Sequence, residues 1–99
     1  MVLISEEYQP TAGTLLTTIS KMYPIYSVEL EIKLTDQSTN AWKSIIHITQ
    51  GGGNSVPGDR MPLISLHPNE LGIQISSYVN GYVNYAFSPE ELLELNIWY

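Results

Sequence analysis

The sequence predicts an all-β chain of antiparallel strands, and three observations carry that expectation. Apolar residues recur at every second position through most of the 99 residues, which is the side-chain period of a strand with one dry and one wet face. Glycine, proline and asparagine interrupt the pattern at short intervals, which suits hairpins and leaves no room for the crossover helices of a parallel sheet. No apolar stripe of helical period runs beyond one turn. Composition agrees: 43% of residues are hydrophobic, 14% are charged and seven tyrosines stand against one phenylalanine, the balance of a folded chain with half-wet sheet faces. The length allows one small domain over residues 1–99 and excludes two.

Residues 14–19 are threonine-rich and lie ahead of the Tyr23-Pro24 step, where the residue before proline is pushed toward an extended conformation, so a first strand is expected there. Residues 26–34 give the clearest strand, with Tyr26, Val28, Leu30, Ile32 and Leu34 alternating with Ser27, Glu29, Glu31 and Lys33. The run 36–40 is turn chemistry. Strand character resumes over 42–49, with Trp42, Ser44, Ile46 and Ile48 on one face and Lys43, Ile45, His47 and Thr49 on the other. Residues 51–59 form an irregular glycine-rich loop, and 61–66 form the next strand.

Residues 71–87 form a hairpin around Asn80-Gly81 whose register follows from burial. A two-residue loop would pair Val79 with Tyr82 and split the apolar residues between both faces. A three-residue loop of Val79, Asn80 and Gly81 pairs Tyr78 with Tyr82 and gathers Ile73, Ile75, Val83, Tyr85 and Phe87 on one side. At about 1.5–3 kcal/mol per large side chain buried, that gain decides for the three-residue loop. The other face then carries Gln74, Ser76, Tyr78, Tyr82 and Asn84. Beyond it, Ser88-Pro89-Glu90-Glu91 has capping-box spacing, which predicts a helical turn over 89–94. The extended run 95–99 ends on Trp98 and Tyr99, as if the chain were cut short.

Charge and chemistry narrow the function. Four Lys and Arg against ten Asp and Glu give a net charge of −6, which repels phosphate backbones and disfavours nucleic acid and anionic membrane as partners. With no cysteine there is no disulfide, thiolate metal site or cysteine nucleophile, and two histidines are too few for a His-rich metal centre. The first residues lack a basic stretch and hold only a short apolar run, so an exported protein would carry its signal upstream, and no membrane insertion is expected.

The order of these features resembles the concanavalin A-like jelly-roll superfamily, especially laminin-G-like modules. The residues that carry the likeness are Tyr26-Ser-Val-Glu-Leu-Glu-Ile-Lys-Leu34, Ile45-Ile-His-Ile-Thr-Gln-Gly-Gly-Gly53, and Gly58-Asp59-Arg60-Met61-Pro62-Leu63. Leu71-Gly-Ile-Gln-Ile-Ser76 with its Asn80-Gly81 turn, and Leu95-Asn96-Ile97-Trp98-Tyr99, complete it. The resemblance implies an antiparallel β-sandwich of which this chain is an incomplete part, and a non-enzymatic carbohydrate-binding or adhesion role outside the cell or at its surface. Such a partial sandwich would leave an open strand edge through which a homodimer could form.

Each candidate site has a plainer alternative. Glu29 and Glu31, two apart on a predicted strand, would stand about 7 Å apart on one face, a spacing within reach of glycosidase chemistry. Retaining glucanases of similar fold look like Glu-x-Asp-x-x-Glu, and Leu34 stands here where the last carboxylate belongs, so a solvated strand face is preferred and a partial glycoside hydrolase is the alternative. The 51–60 loop could bind through exposed backbone, with Asn54 and Asp59 as oxygen ligands suited to calcium, or Asp59 and Arg60 could simply pin it. His47 reads as a hydrogen-bonded sheet residue. Tyr78 and Tyr82, flanked by Gln74, Ser76 and Asn84, form the most suggestive surface, because aromatic faces stack on the C–H side of sugars while amides and hydroxyls bind their oxygens. The expected ligand-binding set is therefore Tyr78, Tyr82, Asn84, Gln74, Asn54, Asp59 and Arg60. The expected partner is a glycan or an extracellular protein, with no cofactor other than calcium implied.

Overall fold

Among the described residues, the paired strands lie between Lys43 and Phe87. The computed structural model describes residues 5–9, 11, 13–23, 25–36, 39–51, 58–79 and 81–99, and the chain divides into two units, Met1–Leu30 and Glu31–Tyr99. The second unit holds four strands, β1 (Lys43–His47), β2 (Leu63–Leu66), β3 (Ile73–Val79) and β4 (Tyr82–Phe87). Each is antiparallel to the next, in the order β1-β2-β3-β4. The protein is all-β, with no helix among the described residues. The second sheet of a sandwich is not among the described elements.

β2 is the only strand whose four residues are all buried, because its Leu63-Ile64-Ser65-Leu66 run lies between β1 and β3. Directly opposed residues share a face. Ile46, Ile64, Ile75 and Phe87 therefore form one apolar row across all four strands, while Ser44, Ser65 and Gln74 form a polar row on the reverse face. The predicted alternation over 42–49 is corrected by a bulge. Between the pairs Ser44–Ser65 and Ile46–Ile64, β1 advances two residues and β2 one, so Ile45 is the extra residue and Ile46 turns to the face opposite Ser44. The apolar row is complete only because of that inserted residue.

The hairpin register also differs from the expected one. Val79 lies opposite Tyr82, so the expected Tyr78–Tyr82 pairing does not form, and Gly81 is at φ +88°; Asn80 lies outside the described residues. Below the tip, Ser77 faces Tyr85 and Ile75 faces Phe87, whereas pairing Tyr78 with Tyr82 would set Ile75 against Tyr85. An irregularity on β4 between these pairs makes up the difference. The net slip is two positions, so Ile73, Ile75, Tyr85 and Phe87 still share one face, but the burial expected of it is not found: Ile75, Tyr85 and Phe87 are exposed.

Three predicted elements are absent. Residues 14–19 form no strand: a turn at Thr11–Thr14, closed by the Thr14 N–H to the Thr11 carbonyl at 3.3 Å, leads into a run whose Leu15 is exposed. Residues 26–32 form no strand either, and Tyr26 and Leu30 are exposed, because alternation says which side chains would share a face but supplies no neighbouring strand to pair with. Within the second unit, Ile32 and Tyr99 exchange both backbone hydrogen bonds at 2.9 Å, Leu34 bridges Leu95 in parallel and Lys33 bridges Trp98 antiparallel. Asn96, at φ +62°, lies between the two kinds of bridge, and Lys33 Nζ stands 5.1 Å over the Trp98 ring. The helical turn over 89–94 does not form: Ser88 Oγ hydrogen-bonds His67 Nε2 at 2.9 Å, and the Leu93 N–H donates to the Leu71 carbonyl at 2.9 Å, so both are engaged outside the turn they would have closed.

Candidate ligand site on the polar sheet face

The polar row sits in a depression of about 360 Å³ lined by Ser44, Ser65, Gln74, Ser76, Asn84, Leu63, Arg60 and Trp42. Strand alternation puts the serines and amides there: Ser44, Ser65 and Gln74 are cross-strand neighbours, and Ser76 is opposite Leu63 one step along. Arg60 reaches the depression from just before β2. Its main-chain carbonyl accepts from Ser77 Oγ at 3.3 Å and from the Tyr78 N–H at 3.2 Å. Its Nη1 donates to Ser76 Oγ at 3.3 Å and to Asn84 Oδ1. The side chain is thus fixed at its base by β3 and at its tip by both β3 and β4. Ser76, 3% exposed, accepts from Arg60 and donates its own proton to the Leu63 carbonyl at 3.5 Å.

Trp42 forms one wall. Its indole lies 4.6 Å from the His67 ring, tilted by 44°, and His67 is tied to Ser88. With 54% of its surface exposed, Trp42 is held from one side and keeps an aromatic surface for a ligand. Chemically, the depression offers a guanidinium, three hydroxyls, two amides and an indole, and Arg60 is the sole ionisable side chain in its lining.

Of the residues expected to bind ligand, the structure brings together Gln74, Asn84 and Arg60. Tyr78 and Tyr82 do not line the depression and are not cross-strand partners; Tyr82 lies opposite Val79 and is 69% exposed. Asn54 lies outside the described residues. Asp59 is 1% exposed, and its carbonyl accepts a hydrogen bond from His47 Nε2, the arrangement of a loop anchor. The same bond makes His47 a hydrogen-bonded sheet residue, and a carbonyl acceptor requires the proton on Nε2. Above Asp59, the loop base is closed by Ile48 with Pro62 at 3.0 Å, Met61 with Ile48 at 2.8 Å and Gln50 with Gly58 at 3.0 Å. Among the described residues, no three of His, Asp or Glu gather as a metal-holding group. Glu29 and Glu31 are both exposed and share no strand.

Sequence reasoning missed Trp42, Ser44 and Ser65. A signal for the first two was present, since Trp42 and Ser44 are two apart on one face of a predicted strand. Ser65, a lone hydroxyl in an apolar run, could be assigned to this face only once its neighbours were known.

No protein-family model, curated protein or solved structure matches the chain.

Proposed function

We propose that the chain is a non-enzymatic recognition module that binds a saccharide in the depression between Arg60 and Trp42. The observation that carries this reading is the fixed placement of Arg60 across β3 and β4, beside a row of hydroxyls and amides and an exposed indole. Sugars present hydroxyls to such polar groups and a C–H face to an aromatic ring. In this reading the four-stranded sheet is one layer of a concanavalin A-like or laminin-G-like jelly-roll sandwich, acting outside the cell or at its surface. Support for a second layer comes from the reverse face, where Tyr85 and Phe87 remain more than half exposed. Calcium has no part in the proposed contact.

A glycan array probed with the wild type, Trp42→Ala and Asn84→Ala tests the reading. Each substitution is expected to weaken binding about tenfold, equivalent to about 1.4 kcal/mol. Tyr78→Ala and Tyr82→Ala are expected to leave it unchanged. Failure of the wild type to bind any glycan, or binding indifferent to both Trp42 and Asn84, would overturn it.

A second reading, self-association, is favoured by one observation: β4 is an edge strand with no charged residue between Tyr82 and Phe87.

A further inference from the structure

We infer that the saccharide taken by this depression is uncharged and that Gln74 and Ser65 bond its hydroxyls, an inference that rests on the saccharide reading above. Arg60 is the one ionisable side chain in the lining, and it is committed to the protein. Its Nη1 donates to Ser76 Oγ and Asn84 Oδ1, and Arg60 makes a further interaction within the chain. What remains for a ligand is neutral: hydroxyls, amides and the Trp42 indole. The net charge of −6 repels an anion, and among the described residues no carboxylate lines the depression to receive a cation.

The polar groups still unspent lie on neighbouring strands. Ser65 on β2 and Gln74 on β3 are directly opposed, share the polar face and both line the depression. Ser76 both takes and gives a hydrogen bond, whereas among the described residues neither the Ser65 nor the Gln74 side chain is bonded within the protein. Ser65 is only 8% exposed, yet no described side-chain oxygen or nitrogen is sealed off without a partner, so its hydroxyl opens into the depression. A hydroxyl so enclosed is satisfied by what enters. The Gln74 carboxamide presents an acceptor beside two donors. Adjacent hydroxyls of a sugar ring, one giving a proton and one receiving, match that pair, and the Ser65 hydroxyl serves in either sense. A carboxylate only accepts, and would leave Gln74 Oε1 unmatched. The exposed Trp42 wall takes the C–H face of the ring.

The test is a panel of neutral oligosaccharides, each printed beside its uronic-acid and amino-sugar counterparts, probed at low and high salt with the wild type, Gln74→Met and Ser65→Ala. The wild type is expected to bind neutral members at least as tightly as charged ones, with no change between the two salt concentrations. Both substitutions keep roughly the bulk of the side chain and remove its hydrogen bonds, and each should weaken neutral binding about tenfold. Monodeoxy analogues of the tightest neutral binder should show a similar loss when either of two adjacent hydroxyls is removed. If circular dichroism shows a variant to be unfolded, the monodeoxy series decides alone. A preference for acids or amines that high salt erases overturns the inference, as does neutral binding indifferent to either folded variant or to every single deoxygenation. Each of these results leaves the saccharide reading standing; binding of no member of the panel overturns both.

Discussion

Gly58 stands where the chain leaves the glycine-rich loop for the sheet, at φ +89°, a conformation that side chains with a Cβ resist. Its carbonyl accepts the Gln50 N–H, and a Cβ placed on it would come within 2.7 Å of the Gln50 side chain. Gly51 has a similar φ of +95°, but open space surrounds its Cβ position. Gly58→Ala is therefore expected to cost about 1–2 kcal/mol from backbone conformation, with displacement of Gln50 in addition. Gly51→Ala should cost less. Urea midpoints of the two variants check the ranking, and equal midpoints would show that the Gln50 contact is immaterial. The adjoining Asp59 and Arg60 illustrate what a sequence conveys at this scale. Both looked like ligand groups in a loop, yet one is buried and the other lines the depression, a difference set by where the β1–β2 ladder ends rather than by either residue's type.

At the scale of elements, all four strands were legible because each is a β-prone run bounded by turn residues, and each finds a partner within the 43–87 stretch. Residues 26–34 have the cleanest alternation of all and yield only the bridges at Lys33 and Leu34. Period-two patterning is a local property, whereas a ladder needs a second chain segment at the right height. Half of the site was readable for the same reason: Gln74 and Asn84 followed from strand parity, while Ser65 required knowing which strands adjoin. Position within the sheet also sets energetic weight. Ile64 is buried in the central β2, whereas Phe87 on the β4 edge is 63% exposed. Ile64→Ala is expected to destabilise by about 2–5 kcal/mol. Phe87→Ala should cost under about 1 kcal/mol, since little of its side chain leaves water on folding. Chemical denaturation of both variants measures the contrast, and comparable losses would mean that the β4 face is covered in solution.

For the molecule as a whole, the two sheet edges are unequal. β1 carries Lys43 and a bulge, both of which discourage strand addition, while β4 presents an uncharged run with Tyr82, Tyr85 and Phe87 exposed. If β4 pairs with a second copy, the −6 charge on each chain opposes the encounter, so association should strengthen as salt screens that repulsion. Sedimentation velocity is expected to show a concentration-dependent dimer that grows with ionic strength and is lost in Tyr85→Lys. A sedimentation coefficient constant across concentration and salt would remove the self-association reading.

The two-position slip of β4 carries a further lesson about what holds the hairpin in frame. Sliding an edge strand by an even step keeps every side chain on its own side, so water-hating surface cannot tell one frame from the next. The discriminating force must be directional, and the Arg60 bridge to Asn84 is such a force: it fastens one numbered position of β4 to the sheet. In this protein the polar cluster is the hairpin's vernier, and the oily face merely its track.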